Sequence, residues 1–150
     1  MKDIKNFVYI SDRLATGGQP TEDQLREIAK AGYEVVINLG LTGTDYALPD
    51  ESGLAELLGL KYVHIPVKWE SPSGEALEQF VREMENYKGE KVFVHCAANY
   101  RVSCFLAIYR VIKLGWSEEK ALSELTRVWE PNETWSSFIE DAIARSDTDD

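Results

Sequence analysis

The chain has 150 residues, of which 44% are hydrophobic and 28% charged, the composition of one folded domain with a core of its own. Its net charge of −10 argues against nucleic acid or an anionic membrane as partner, because both reward clustered Lys and Arg. No apolar run approaches the roughly 20 residues of a spanning helix, and the first six residues lack the apolar segment of a secretory signal, so the expected location is the cytoplasm.

Residues 7–10 and 14–16 read as short strands around a Ser11-Asp12 turn. Thr21 and Gln24 have capping-box spacing and open a helix with Leu25, Ile28 and Ala29 on one face, which Gly32 ends. The apolar run 34–39 predicts a strand buried on both sides. After a loop over 40–49, a helix is expected through Leu54, Leu57 and Leu58, stopping at Gly59. Residues 62–67 form the next strand, with Pro66 placing its end at an edge or turn. Ser71-Pro72 is read as the start of a helix carrying Leu77, Phe80, Val81 and Met84. A strand over 92–95 follows, then helices over 101–114, 117–129 and about 132–144. The acidic tail 146–150 is expected to fray. Strands and helices alternate without repeats or linkers, which predicts one α/β domain over 1–150, a mostly parallel sheet flanked by helices. Ligands in such sheets bind beyond the carboxyl ends of the strands.

Cys96 lies at such an end. Residues 91–111, KVFVHCAANYRVSCFLAIYRV, run from strand to His95-Cys96, a polar turn, and an apolar helix opened by Arg101. A helix N-terminus presents unpaired N–H groups and about half a positive charge, and Arg101 adds a two-pronged cation. Both favour the thiolate form of Cys96. The backbone of Ala97, Ala98, Asn99, Tyr100 and Val102 then forms a cradle for an oxyanion such as phosphate or sulfate. The competing reading makes Cys96 a buried small apolar residue, the usual fate of a lone cysteine; for Cys104, inside the helix, packing is the expected role. Two cysteines and two histidines supply neither a disulfide framework nor the ligand spacing of a metal centre.

His95-Cys96 followed by Arg101 resembles the H-C-x5-R-[ST] signature of cysteine-dependent protein tyrosine and dual-specificity phosphatases. The segments TGGQPTEDQLREIAKAGYEVVINLG, YVHIPV and LGWSEEKAL extend the resemblance over nearly the whole chain, toward a bacterial dual-specificity-like branch. The resemblance implies a dual-specificity phosphatase-like fold and hydrolysis of phosphomonoesters through a cysteinyl-phosphate. Cys96 would be the nucleophile and Arg101 the anion ligand, with a phosphorylated small molecule or phosphoprotein as substrate and no cofactor. His95 would hydrogen-bond backbone and so steady Cys96.

The sequence departs from the family in three places. Only four residues separate Cys96 from Arg101, and the loop glycine is absent. The strand that usually ends Asn-Leu-Arg here ends Asn38-Leu39-Gly40. At full loop length Val102 would take the arginine position and Ser103 the serine, leaving a dead enzyme. A one-residue deletion instead keeps Arg101 in place, and Tyr109, eight residues later as in these phosphatases, favours that alignment. Asn99 then takes the left-handed backbone the glycine would have taken, and Ser103 offers its hydroxyl to the loop.

A phosphomonoesterase also needs a proton donor for the leaving oxygen. The family draws an aspartate from the loop after the HIPV-like strand, but residues 68–72, KWESP, contain none. Glu70 is the nearest carboxylate, with helix-start charge as its competing role, and Asp45 is a second candidate. Trp69 either stacks on a substrate ring or covers the core edge. Lys68 is expected to be solvated and His64 structural. The shortened loop also resembles that of rhodanese-type sulfurtransferases, which opens a second reading with a Cys96 persulfide. A phosphate- or sulfate-binding module without turnover is the third.

Overall fold

The computed structural model describes residues 1–148. The strands are β1 (Val8–Ser11), β2 (Leu14–Gly17), β3 (Val35–Asn38), β4 (Lys61–His64) and β5 (Val92–His95). The helices are α1 (Glu22–Lys30), α2 (Glu51–Leu57), α3 (Gly74–Asn86), α4 (Tyr100–Ile112), α5 (Glu118–Thr126) and α6 (Glu133–Thr148). They form one five-stranded sheet in the order β1-β2-β5-β3-β4, parallel except for the antiparallel edge pair β1–β2.

The apolar runs decide the sheet's centre. Every residue of β3 and β5 is buried, as expected of parallel strands covered on both faces. Alternate residues feed two cores, because strand side chains point to opposite faces in turn. Val35, Ile37, Val92 and Val94 pack with Phe80, Phe105, Ile108 and Trp135 from α3, α4 and α6. Ala15, Val36 and Phe93 pack with Leu25, Ile28 and Ala55 from α1 and α2. The α1 capping box forms as read, with Thr21 and Gln24 satisfying each other's backbone N–H groups. No helix among the described residues is long and apolar enough to cross a membrane.

Three details differ from the sequence reading. Of the expected α2 face, Leu54 and Leu58 pack against the core, but Leu57 is 81% exposed, while Glu51 and Ala55 are buried. The cause is a polar partner for Glu51 inside the fold, which overrides the apolar pattern. Second, α3 begins at Gly74 rather than at Ser71-Pro72, because Ser73 Oγ accepts the Ala76 N–H at 3.1 Å and caps the helix there. Finally, α6 continues to Thr148 and takes in the first residues of the acidic tail, whereas Asp149 and Asp150 lie outside the described residues.

Candidate active site

β5 ends at His95, α4 begins at Tyr100, and residues 96–99 make the turn between them. Asn99 carries that turn in the left-handed region at φ 68°, the conformation read for it from the absent glycine. Its Nδ2 donates to the Asn6 carbonyl at 2.9 Å and to Thr16 Oγ1 at 3.1 Å, and Asn6 Nδ2 returns a bond to the Ala98 carbonyl at 2.9 Å. Gln19 N–H donates to the Ala97 carbonyl at 3.0 Å. Gly18 is required beside this contact, since a Cβ there would stand 2.6 Å from the Ala97 carbonyl oxygen.

With its carbonyls tied down, the loop turns its donors the other way. The N–H groups of Ala97, Ala98, Tyr100, Arg101 and Val102 meet no acceptor among the described residues, which is the donor set of a helix start. Cys96, Ala97, Ala98, Tyr100 and Arg101 line a cleft of about 310 Å³, closed from the facing side by Leu41, Thr44, Tyr46 and Trp69. Arg101 is buried and held by two bonds, donating from Nη1 to the Val67 carbonyl at 2.8 Å and from Nη2 to Tyr46 Oη at 3.3 Å. Its remaining N–H donors are unspent by these two bonds. Val102 packs in the core instead. Arg101, not Val102, thus stands with Cys96, as the deletion alignment required.

Beneath the loop lies a pair that sequence reading missed. His95 Nε2 meets Glu51 Oε2 at 2.6 Å, both groups being buried, while His95 Nδ1 lies 3.2 Å from the Cys96 carbonyl. Gln19 Nε2 donates to the other Glu51 oxygen at 2.8 Å. Burial pushes the Glu51 carboxyl up, but attraction to His95 and the bonds from His95 and Gln19 outweigh it and hold it below the ordinary range. The spacing around Glu51 carries no sign of its distant partner. His64 is structural as expected: Nε2 lies 2.6 Å from the Gly40 carbonyl.

The cleft wall is aromatic. Tyr100 stacks on Trp129 at 4.5 Å between centroids, and Trp69 lies 6.1 Å from Tyr100. Trp135 Nε1 donates to the Trp69 carbonyl at 2.9 Å, pinning the segment after β4. Trp69 reaches the cleft, whereas Lys68, Glu70 and Asp45 are exposed and do not line it. Ser103 does not line the cleft: its hydroxyl reaches the loop only at the Tyr100 carbonyl, at 2.9 Å, and its side chain faces a separate hollow with Val8 and Ile10. Cys104 is core, and burial pushes its thiol up.

Known proteins share this sequence pattern and fold. The profile of a family described as a dual-specificity, protein tyrosine phosphatase-type phosphatase fused to NAD+ kinase matches residues 6–141. A DUF442-group protein from Shewanella putrefaciens CN-32 has 32% identity and a TM-score of 0.84, over 96% of this chain and 92% of its own. Tk-PTP in its active form has 25% identity and a TM-score of 0.79, over 93% and 97%. A beta-lactamase hydrolase-like protein of Xylella fastidiosa is 33% identical over 109 residues, 71% of this chain. The chain spans only 25% of that relative's length. By sequence profile and by fold together, the chain belongs to the dual-specificity-type protein tyrosine phosphatase family.

Proposed function

We propose that the protein hydrolyses phosphomonoesters through a cysteinyl-phosphate on Cys96. One observation carries this reading: the Cys96 side chain, the donor-lined turn and Arg101 share one cleft at the carboxyl end of β5. The Cys96 sulfur attacks phosphorus, and the N–H groups of Ala97, Ala98, Tyr100, Arg101 and Val102 with the Arg101 fork bind the equatorial oxygens, while Asn99, expected in the cradle, is buried and shapes the turn instead. Preorganised donors of this kind stabilise the charge of the transition state without reorganisation. His95, held by Glu51, positions the Cys96 carbonyl. Glu70, next in the chain to Trp69 at the cleft mouth, is the carboxylate we assign to protonating the leaving oxygen, and water then releases phosphate. A phosphorylated small molecule or phosphoprotein fits such a site. The test is hydrolysis of an aryl phosphate: turnover is expected in the native chain and none in Cys96→Ser with its fold intact.

One observation favours a second reading. Among the described residues no carboxylate lines the cleft, and the turn holds only four residues between Cys96 and Arg101. In sulfur transfer the Cys96 thiolate takes the outer sulfur of thiosulfate and sulfite leaves with the S–S electron pair, a step that uses the anion cradle and the thiolate but needs no leaving-group acid. Inert aryl phosphates together with a sulfur adduct on Cys96 would select it.

A further inference from the structure

Across the cleft from Cys96 the loop between β3 and α2 presents Tyr46, a side chain to which the sequence assigned nothing. A phenol oxygen has two lone pairs and one hydrogen. Both acceptor directions of Tyr46 Oη are taken, by the Leu41 N–H at 2.8 Å and by Arg101 Nη2 at 3.3 Å. Neither neighbour accepts, so the hydroxyl hydrogen points away from both, and it finds no acceptor among the described residues. Tyr46 lines the cleft with Cys96, Ala97 and Ala98.

The position of that ring depends on Gly40, where the sequence departs from the family's Asn-Leu-Arg. A Cβ at position 40 would stand 3.0 Å from Asn38 Oδ1 and 3.2 Å from the Tyr46 ring. The Asn38 side chain is fixed in turn, its Oδ1 accepting the Gly40 N–H at 2.7 Å and its Nδ2 donating to Tyr62 Oη at 3.0 Å. Gly40 therefore leaves the space that Tyr46 occupies beside Arg101, whose guanidinium carbon lies 5.8 Å from the ring centroid.

We propose that Tyr46 is a direct ligand of the bound oxyanion, donating its hydroxyl hydrogen to an oxygen of the tetrahedral anion above Cys96. This deepens the anion-cradle reading and rests on it. A turn one residue shorter offers one backbone donor fewer, and the Tyr46 hydroxyl restores a donor from the opposite wall. It also locks the ligand's arginine: the same oxygen that orients Arg101 reaches the anion, so both donors arrive as one unit.

The experiment is calorimetric titration of the whole chain with inorganic phosphate and with tungstate at pH 6. Tyr46→Phe keeps the ring and should weaken both anions about tenfold, the worth of a hydrogen bond to a charged group. Because Tyr46→Phe also frees Arg101, a second variant separates the roles. Tyr46→3-fluorotyrosine makes the hydroxyl a stronger donor and a poorer acceptor, so it should tighten both anions if Tyr46 donates to them. Weaker binding in that variant, or unchanged binding in Tyr46→Phe, overturns the proposal while leaving the cradle standing. If the native chain itself binds neither anion, the cradle reading fails and this assignment falls with it.

Discussion

Glu51 and His95 meet at 2.6 Å inside the fold, a buried carboxylate–imidazole contact that ties the start of α2 to the base of the Cys96 turn. Removing one partner of such a contact strands the other without water. Glu51→Ala should therefore cost about 3–5 kcal/mol of stability, the range for breaking a buried pair from one side, read as a lower denaturant midpoint. Glu51→Gln, which keeps the shape and one acceptor, should lose less stability and retain the loop.

The same contact sets an acid limit. The Glu51 carboxyl is held below its ordinary range in the folded chain. A depressed folded value gives stability that is present above the unfolded value of about 4.3 and is lost as pH falls through the folded value. Thermal unfolding between about pH 5 and pH 3 should show a decline that Glu51→Gln flattens. An identical acid limb in both chains would mean that other carboxylates dominate.

Arg101 holds the Val67 carbonyl with one prong and Tyr46 with another, so its remaining donors are aimed rather than floppy. Arg101→Lys keeps the charge but loses the fork. It should lower kcat/KM for an aryl phosphate about 10²–10³-fold, the loss typical of one preorganised oxyanion donor, with the midpoint of unfolding little changed.

Asn99 is left-handed and tied on its outer side by Asn6 and Thr16. Asn99→Gly keeps the backbone freedom and loses the ties; Asn99→Val loses both. Stability and turnover should fall in the order native, Asn99→Gly, Asn99→Val. Gly18→Ala should act from behind the turn, because its Cβ collides with the Ala97 carbonyl, and should impair turnover more than its small size suggests.

Glu70→Gln probes the assigned acid. Esters with poor leaving groups need a proton in the transition state and good ones do not, so the variant should slow alkyl phosphates much more than activated aryl phosphates. Equal slowing of both, or of neither, would remove Glu70 from that role.

The features legible in the sequence are those set by local pattern. The buried runs of β3 and β5, the Thr21 capping box and the placement of Cys96 at a strand end all follow from spacing and side-chain type. Asn99 could be read too, because a missing glycine leaves only residues that tolerate positive φ. Glu51 and Tyr46 were not legible, because their roles depend on partners 44 and 55 residues away. Gly40 was the available signal: where the resemblance implies an arginine, a glycine leaves space for something else, here the Tyr46 ring. Leu57 misled for the opposite reason, since an apolar residue at helical spacing reads as core when a buried carboxylate has already fixed the other face.

The most direct test of the account is the chemical state of Cys96 during turnover. Acid quenching of the native chain with an aryl phosphate, followed by mass spectrometry of the peptide carrying Cys96, should show a phosphoryl group on that cysteine, absent from Cys96→Ser. An unmodified Cys96 after aryl phosphate, with a single added sulfur on it after thiosulfate, would contradict the phosphatase assignment and leave the cradle to sulfur transfer.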